Sequence, residues 1–194
     1  MVRSQIIHTL DSAYHMLRHF ECLPVELEEK LIAKGYSKNE MKVSLEVPGS
    51  RFSLNFAQTI EDLLDRLFID SSYSIGEGIN GNLLIHAAVT PDKFSGKVGT
   101  CGVMAIDSLE EVMRAKIYRK KNRGIDLLHL DVIELPQTDE FTLILKPANE
   151  HLIFITAFPG PLALPLPDHR MPSDLYDASR IFWDNHTFLN ITKP

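Results

Sequence analysis

Phe141-Thr-Leu-Ile-Leu-Lys-Pro-Ala-Asn-Glu-His-Leu-Ile-Phe-Ile-Thr-Ala-Phe-Pro-Gly160 is the stretch that decides the fold class. Two apolar runs rich in β-branched and aromatic residues, 141–146 and 151–158, flank the short link Pro147-Ala-Asn-Glu150. That pattern predicts an antiparallel hairpin. Pro159-Gly160 ends the second strand, because proline cannot donate to a ladder and glycine admits a sharp turn. A regular strand would put His151 and Thr156, five residues apart, on opposite faces. Thr156 would then share its face with Leu152, Phe154 and Phe158.

Further strands are predicted at 82–89, 98–106 and 127–135. Between the last two, Asp107 or Ser108 is suited to cap a helix whose apolar stripe is Leu109, Val112, Met113 and Ile117, ending at Gly124. Upstream the chain reads helical. Ile6, Leu10, Tyr14, Leu17 and Phe20 recur at spacings of three and four over 3–20, and 24–34 follows with Gly35 as its C-cap. A short turn is expected over 37–42, and the alternation Val43-Ser-Leu-Glu-Val47 predicts a strand before Pro48. Residues 59–68 form another amphipathic helix, starting near Gln58 or Thr59. The fold class is therefore α+β: a helical N-terminal part, then a mostly antiparallel sheet with one inserted helix. The expected division is 1–72 and 73–194.

Composition is that of a water-soluble globular chain, 44% apolar and 24% charged. No apolar run approaches the roughly 18 residues needed to span a bilayer, so no membrane partner is expected. The two cysteines make neither a disulfide framework nor a metal-type pair, and the expected location is cytoplasmic. His15 and His19 have helical spacing but lack a third ligand, so neither metal nor cofactor is expected. The net charge of −6 argues against indiscriminate nucleic-acid coating. Residues 114–123 nevertheless hold six cations and no acid, leaving the remainder twice as acidic as the whole. Such a run reads first as the solvated C-terminal end of a helix, and second as a phosphate-facing patch.

Six of the ten glycines fall between Gly76 and Gly102. Gly76-Glu-Gly-Ile-Asn-Gly81 matches neither a Walker loop nor a dinucleotide fingerprint. Gly96-Lys-Val-Gly-Thr-Cys-Gly102 reads as a strand thinned to let another backbone, or a ligand, come close. Lys97 and Thr100 would touch a phosphate in the second case. Cys101 reads as a small buried residue. His86 stands alone in Leu83-Leu-Ile-His-Ala-Ala-Val89, and a polar group among aliphatics needs a partner or a task. Its task would be proton transfer, since imidazole titrates near neutrality. Five of the eleven prolines lie in 159–172, a stiff covering loop. A helix from Ser173 then carries Phe182 and Trp183, anchors for the tail, and His186 follows as a second acid–base candidate.

The His-bearing strand, the glycine-laced strand, the helix and the hairpin closing in Ile155-Thr-Ala-Phe-Pro-Gly160 together resemble the toxin ribonucleases of the barnase–EndoU–colicin–RelE superfamily. The resemblance spans roughly 78–190. It implies metal-independent RNA cleavage in which the 2′-hydroxyl attacks the adjacent phosphate and leaves a cyclic phosphate. His86 would act as base or acid, and Thr156 would contact the phosphate. His186, Lys97, Thr100 and Arg119 join this set from local chemistry alone. The implied partners are RNA, with tRNA as one candidate, and a protein inhibitor. The rival expectation is a non-enzymatic interaction module in which the helices and the proline-rich loop hold a protein and the histidines are structural.

Overall fold

The computed structural model describes residues 2–46, 49–78, 81–122 and 124–192. Among them are six α-helices and three mostly antiparallel sheets, an α+β architecture. The chain forms two compact units, Met1–Cys101 with Gln137–Pro161, and Gly102–Pro136 with Leu162–Pro194. The first unit therefore unites the N-terminal helices with the hairpin 141–158, which the expected division places in the separate part 73–194.

In the first unit, β1 (Ile6–Ile7), β3 (Ser71–Glu77), β4 (Leu83–Val89), β10 (Glu140–Ala148) and β11 (His151–Pro159) form a sheet in the order β1-β11-β10-β4-β3. Only the β1–β11 pairing is parallel. One face carries Ile85, Ala87, Phe141, Leu143, Leu145, Phe154 and Ala157, all buried. They pack with the apolar sides of α1 (Leu10–Met16) and α4 (Ile60–Asp65) in one core. Thr9 caps α1 by accepting from Ser12 N–H at 3.1 Å. Thr59 and Asp62 form a reciprocal capping box on α4. A small sheet of β2 (Arg51–Phe52), β5 (Gly99–Thr100) and β9 (Gln137–Thr138) completes the unit.

Several expectations are corrected here. The helix over 3–20 gives way to α1 flanked by 3₁₀ turns at Arg3–Gln5 and Leu17–His19, because Ile6–Ile7 pairs with Leu152–Ile153 instead. The strand over 43–47 is absent among the described residues: α3 spans Lys38–Glu46, and Val47 and Pro48 lie outside them. Its start is fixed by Glu40, whose carboxylate accepts from Ser37 N–H at 2.8 Å and Ser37 O–H at 2.7 Å. Met41 and Leu45, four apart, bury against Leu17, Leu31 and Tyr14. Helical period outweighs the short alternation. α2 (Val25–Lys34) ends at Gly35, whose φ of 111° is the left-handed cap expected of it.

The second unit contains β6 (Val103–Ala105), β7 (Tyr118–Asn122), β8 (Ile125–Val132) and β12 (His186–Ile191) in the order β6-β12-β8-β7. Here the expected long helix from Asp107 to Gly124 is overturned. Only Glu111–Arg114 is α-helical (α5), and the basic run continues as β7, paired with β8 from Tyr118↔His129 to Asn122↔Ile125. Arg123 lies outside the described residues. Leu109, Leu130, Leu135 and Leu189 make a small core on one sheet face. α6 (Ser173–Asn185) presents Trp183, whose indole N–H donates to Leu164 O at 3.0 Å and Pro165 O at 3.2 Å. That pins the proline-rich loop, where the sequence reading has Trp183 anchor the tail.

Candidate active site on the open sheet face

The face of the first sheet opposite the core is set by register. Ser74 lies opposite His86, His86 opposite Thr142, and Thr142 opposite Phe158. The next row runs Ser72, Ala88, Glu140. His86 Nε2 lies 3.5 Å from Glu140 Oε2, and both side chains are about half exposed, 42% and 47%. At that distance the two groups are within ion-pair range, a water can bridge them, and each is open to solvent. Glu140 is the candidate residue that sequence reasoning missed. As an acid at the mouth of an apolar strand it reads as a solvated end, and only register reveals that it shares the face of His86.

The Pro159-Gly160 terminus braces this pair. Gly160 N–H donates to Glu140 O at 2.8 Å, and the Thr142 hydroxyl donates to Gly160 O at 2.9 Å. Gly160 takes φ 91°, and a Cβ there would lie 2.9 Å from Cys101 Cβ. Both the left-handed backbone and the close approach demand glycine. Cys101 is buried, and that burial pushes its thiol up, away from the reactive thiolate.

Thr156 shares the open face but not the site. β11 carries a bulge: Ile144 pairs with Thr156, whereas Leu145 pairs with Phe154, leaving Ile155 unpaired. The extra residue inverts the phase. Phe154 turns to the core, and His151 comes onto the same face as Thr156, the reverse of the expectation for a regular strand. Thr156 is two strands and one two-residue step from His86, about 12 Å by strand spacing and rise. Its hydroxyl donates to Met16 Sδ at 3.8 Å, and the same sulfur accepts Ala157 N–H at 3.3 Å. Thr156 is thus a structural hydroxyl at a sheet edge.

Lys97 is ion-paired with Asp139 at 2.6 Å, one residue before Glu140. Thr100 Oγ1 accepts from Arg51 N–H at 3.3 Å within the small sheet. The glycine-laced strand is thinned for a backbone: a Cβ on Gly99 would sit 2.0 Å from Arg51 O. His19 also belongs to this unit, with its ring centroid 6.3 Å from that of Phe158. Burial, against the pull of a Ser50 carbonyl 3.2 Å from Nδ1, pushes its pKa down to about 4.

His186 and Arg119 belong to the second unit. His186 stacks on Phe182 with centroids 3.8 Å apart, and its Nδ1 lies 2.8 Å from Phe182 O. By register His186, Phe188 and Asn190 share the face of His129 and Tyr118, while Arg119, opposite Leu128, lies on the other face. The structure therefore does not bring His186 and Arg119 together. Trp183, Phe188, His129 and Tyr118 form a file of stacked rings at 4.3, 5.3 and 5.9 Å.

Among the described residues no cluster of three or more His, Cys, Asp or Glu side chains is placed to hold a metal ion. Likewise, no helix among them is long and apolar enough to cross a membrane. Comparison of the chain with protein-family models, with curated proteins and with solved structures gives no match.

Proposed function

We propose that this protein is a metal-independent endoribonuclease, acting in the cytoplasm on RNA such as tRNA, with His86 and Glu140 as its acid–base pair. The observation that carries the reading is the half-exposed imidazole–carboxylate pair 3.5 Å apart on an open sheet face. Glu140 takes the proton of the ribose 2′-hydroxyl, and the new 2′-oxygen–phosphorus bond forms. His86, entering protonated, delivers its proton to the departing 5′-oxygen as that bond breaks. A 2′,3′-cyclic phosphate and a free 5′-hydroxyl remain. The hydroxyl of Ser74, opposite His86 in the ladder, would meet a phosphate oxygen. Thr156 and Thr100 have structural hydrogen bonds instead, and Lys97 serves through Asp139 as a neighbour of Glu140.

The test is incubation of the purified chain with total RNA in EDTA, with His86→Ala and Glu140→Gln alongside. Cyclic-phosphate ends that appear with wild type and fall at least about 100-fold in each variant support the pair. Intact RNA beside a folded wild-type protein overturns the nuclease reading and leaves the interaction module standing. Full activity in folded His86→Ala overturns the assignment of the site.

A further inference from the structure

The sheet edges of this protein are treated unequally. Beyond β1, the free edge of β11 is sealed by α1, where Ser12 donates to Phe154 O at 3.1 Å and Met16 accepts from Ala157 N–H. The β7 edge carries Arg119, Lys120 and Lys121, all exposed, the usual charged guard against pairing. Among the described residues β3 has no covering helix, and its single charge, Glu77, stands at its very end. Ser71-Ser-Tyr-Ser-Ile-Gly76 is uncharged, and Tyr73 and Ile75 stand 37% and 48% exposed.

The hydrogen-bond phase of this edge is fixed at both ends. Thr90 N–H donates to Asp70 O at 2.9 Å, and Gly78 N–H donates to Asn82 O at 2.7 Å. Even-numbered residues of β3 therefore turn their backbone groups to β4, and Tyr73, Ile75 and Glu77 turn theirs outward. Among the described residues none of those outward groups has a partner.

We propose that β3 pairs antiparallel with β3 of a second copy of this chain, in a register centred on Ser74. In that register Tyr73 faces Ile75, Ser72 faces Gly76 and Ser71 faces Glu77, each twice. The outward groups of residues 71, 73, 75 and 77 then meet as about eight inter-strand hydrogen bonds. Tyr73 and Ile75 share the face of Ala87 and Ile85, so both apolar pairs fall on the core side and the Ser and Gly residues on the open side. An aromatic residue beside a β-branched one is a favoured cross-strand pair. Shifting the centre to Tyr73 would oppose Ser71 to Ile75, and shifting it to Ile75 would oppose Tyr73 to Glu77. The self-complementary register is what commits the edge to a second copy. It would also line His86, Ser74 and their counterparts across one continuous face, the two imidazole-bearing positions about 14 Å apart by strand spacing.

Sedimentation of the full chain over a concentration series tests this. Wild type is expected to show a reversible dimer. Ile75→Pro removes an outward N–H that no internal bond uses, and is expected to give a monomer with unchanged far-UV circular dichroism. Ile75→Lys is the second variant, should proline disturb the strand. Ser74→Cys places two thiols at a non-hydrogen-bonded pair with Cα atoms about 4.5 Å apart, within disulfide reach. Mild oxidation is expected to join the two substituted positions, as mapped by peptide mass. A monomer at every concentration, or a dimer indifferent to both Ile75 variants, overturns the proposal; a dimer without that disulfide overturns the register.

Discussion

Replacing Gly99 by alanine tests whether the glycine-laced strand is thinned for a neighbouring backbone. The added Cβ would lie 2.0 Å from Arg51 O and 2.9 Å from both Arg51 C and Phe52 Cα, where ordinary contact begins at 3.4 Å. The obstacle is main chain, so no rotamer relieves it, and β2 must retreat by roughly 1.4 Å. That retreat breaks the Phe52↔Gly99 pairing and lifts Phe52, whose fully buried ring sits 5.9 Å from Phe56 and 6.3 Å from Phe141. Overpacking costs about 1–3 kcal/mol, and a lost ladder bond about 1 kcal/mol more, so a destabilisation of about 3 kcal/mol is expected. Gly76→Ala is the control, since its Cβ meets only Leu84 O at 4.0 Å. It should stay within about 0.5 kcal/mol of wild type. The single tryptophan, Trp183, belongs to the second unit, so urea titrations are best followed by hydrogen exchange in peptides of the first. A cost below about 1 kcal/mol for Gly99→Ala would refute the close-approach argument.

His19 makes the protein acid-sensitive. Its folded pKa of about 4 lies below the unfolded value, so the unfolded chain binds the proton first. The stabilisation is complete above about pH 6.5 and falls away as pH drops towards 4, by about 3 kcal/mol in all. Urea midpoints at neutral and acid pH should therefore converge in His19→Gln, and an undiminished difference would exclude His19 as the source. Phe141→Ala empties the centre of the first core, where the ring meets Phe56 edge-on at 5.2 Å. A loss of about 3–5 kcal/mol is expected by chemical denaturation. Trp183→Phe keeps the stacking surface and deletes the N–H held by Leu164 O and Pro165 O. The proline-rich loop should open about tenfold more often, a loss of about 1.5 kcal/mol, read as faster tryptic cleavage after Arg170.

The hairpin 141–158 and the helix at Thr59 were legible because each rests on neighbours in sequence. Period, capping chemistry and a short link suffice for them. What was not legible depends on partners far along the chain. β3 carries alternating small residues with little apolar signal, and it exists because β4 offers a ladder. β7 is a run of cations that local propensity assigns to a helix end, and pairing with β8 overrides it. The bulge at Ile155 is a single unpaired residue without a glycine to announce it, yet it brings His151 onto the face of Thr156. Of the candidate site, the special position of His86 could be read from its apolar setting. Glu140 could not, because strand register alone brings it to the histidine.

The sulfur of Met16 has a chemical corollary. It is fully buried and spends its lone pairs on the edge of β11, so peroxide reaches it only when α1 lifts away. Oxidation would replace a soft acceptor by a bulkier, strongly polar sulfoxide that the site has no room to take back. Each opening caught by the oxidant is thereby made permanent. Under excess peroxide, the rate at which Met16 gains oxygen, set against that of the partly exposed Met171, becomes a clock for the breathing of the N-terminal helix.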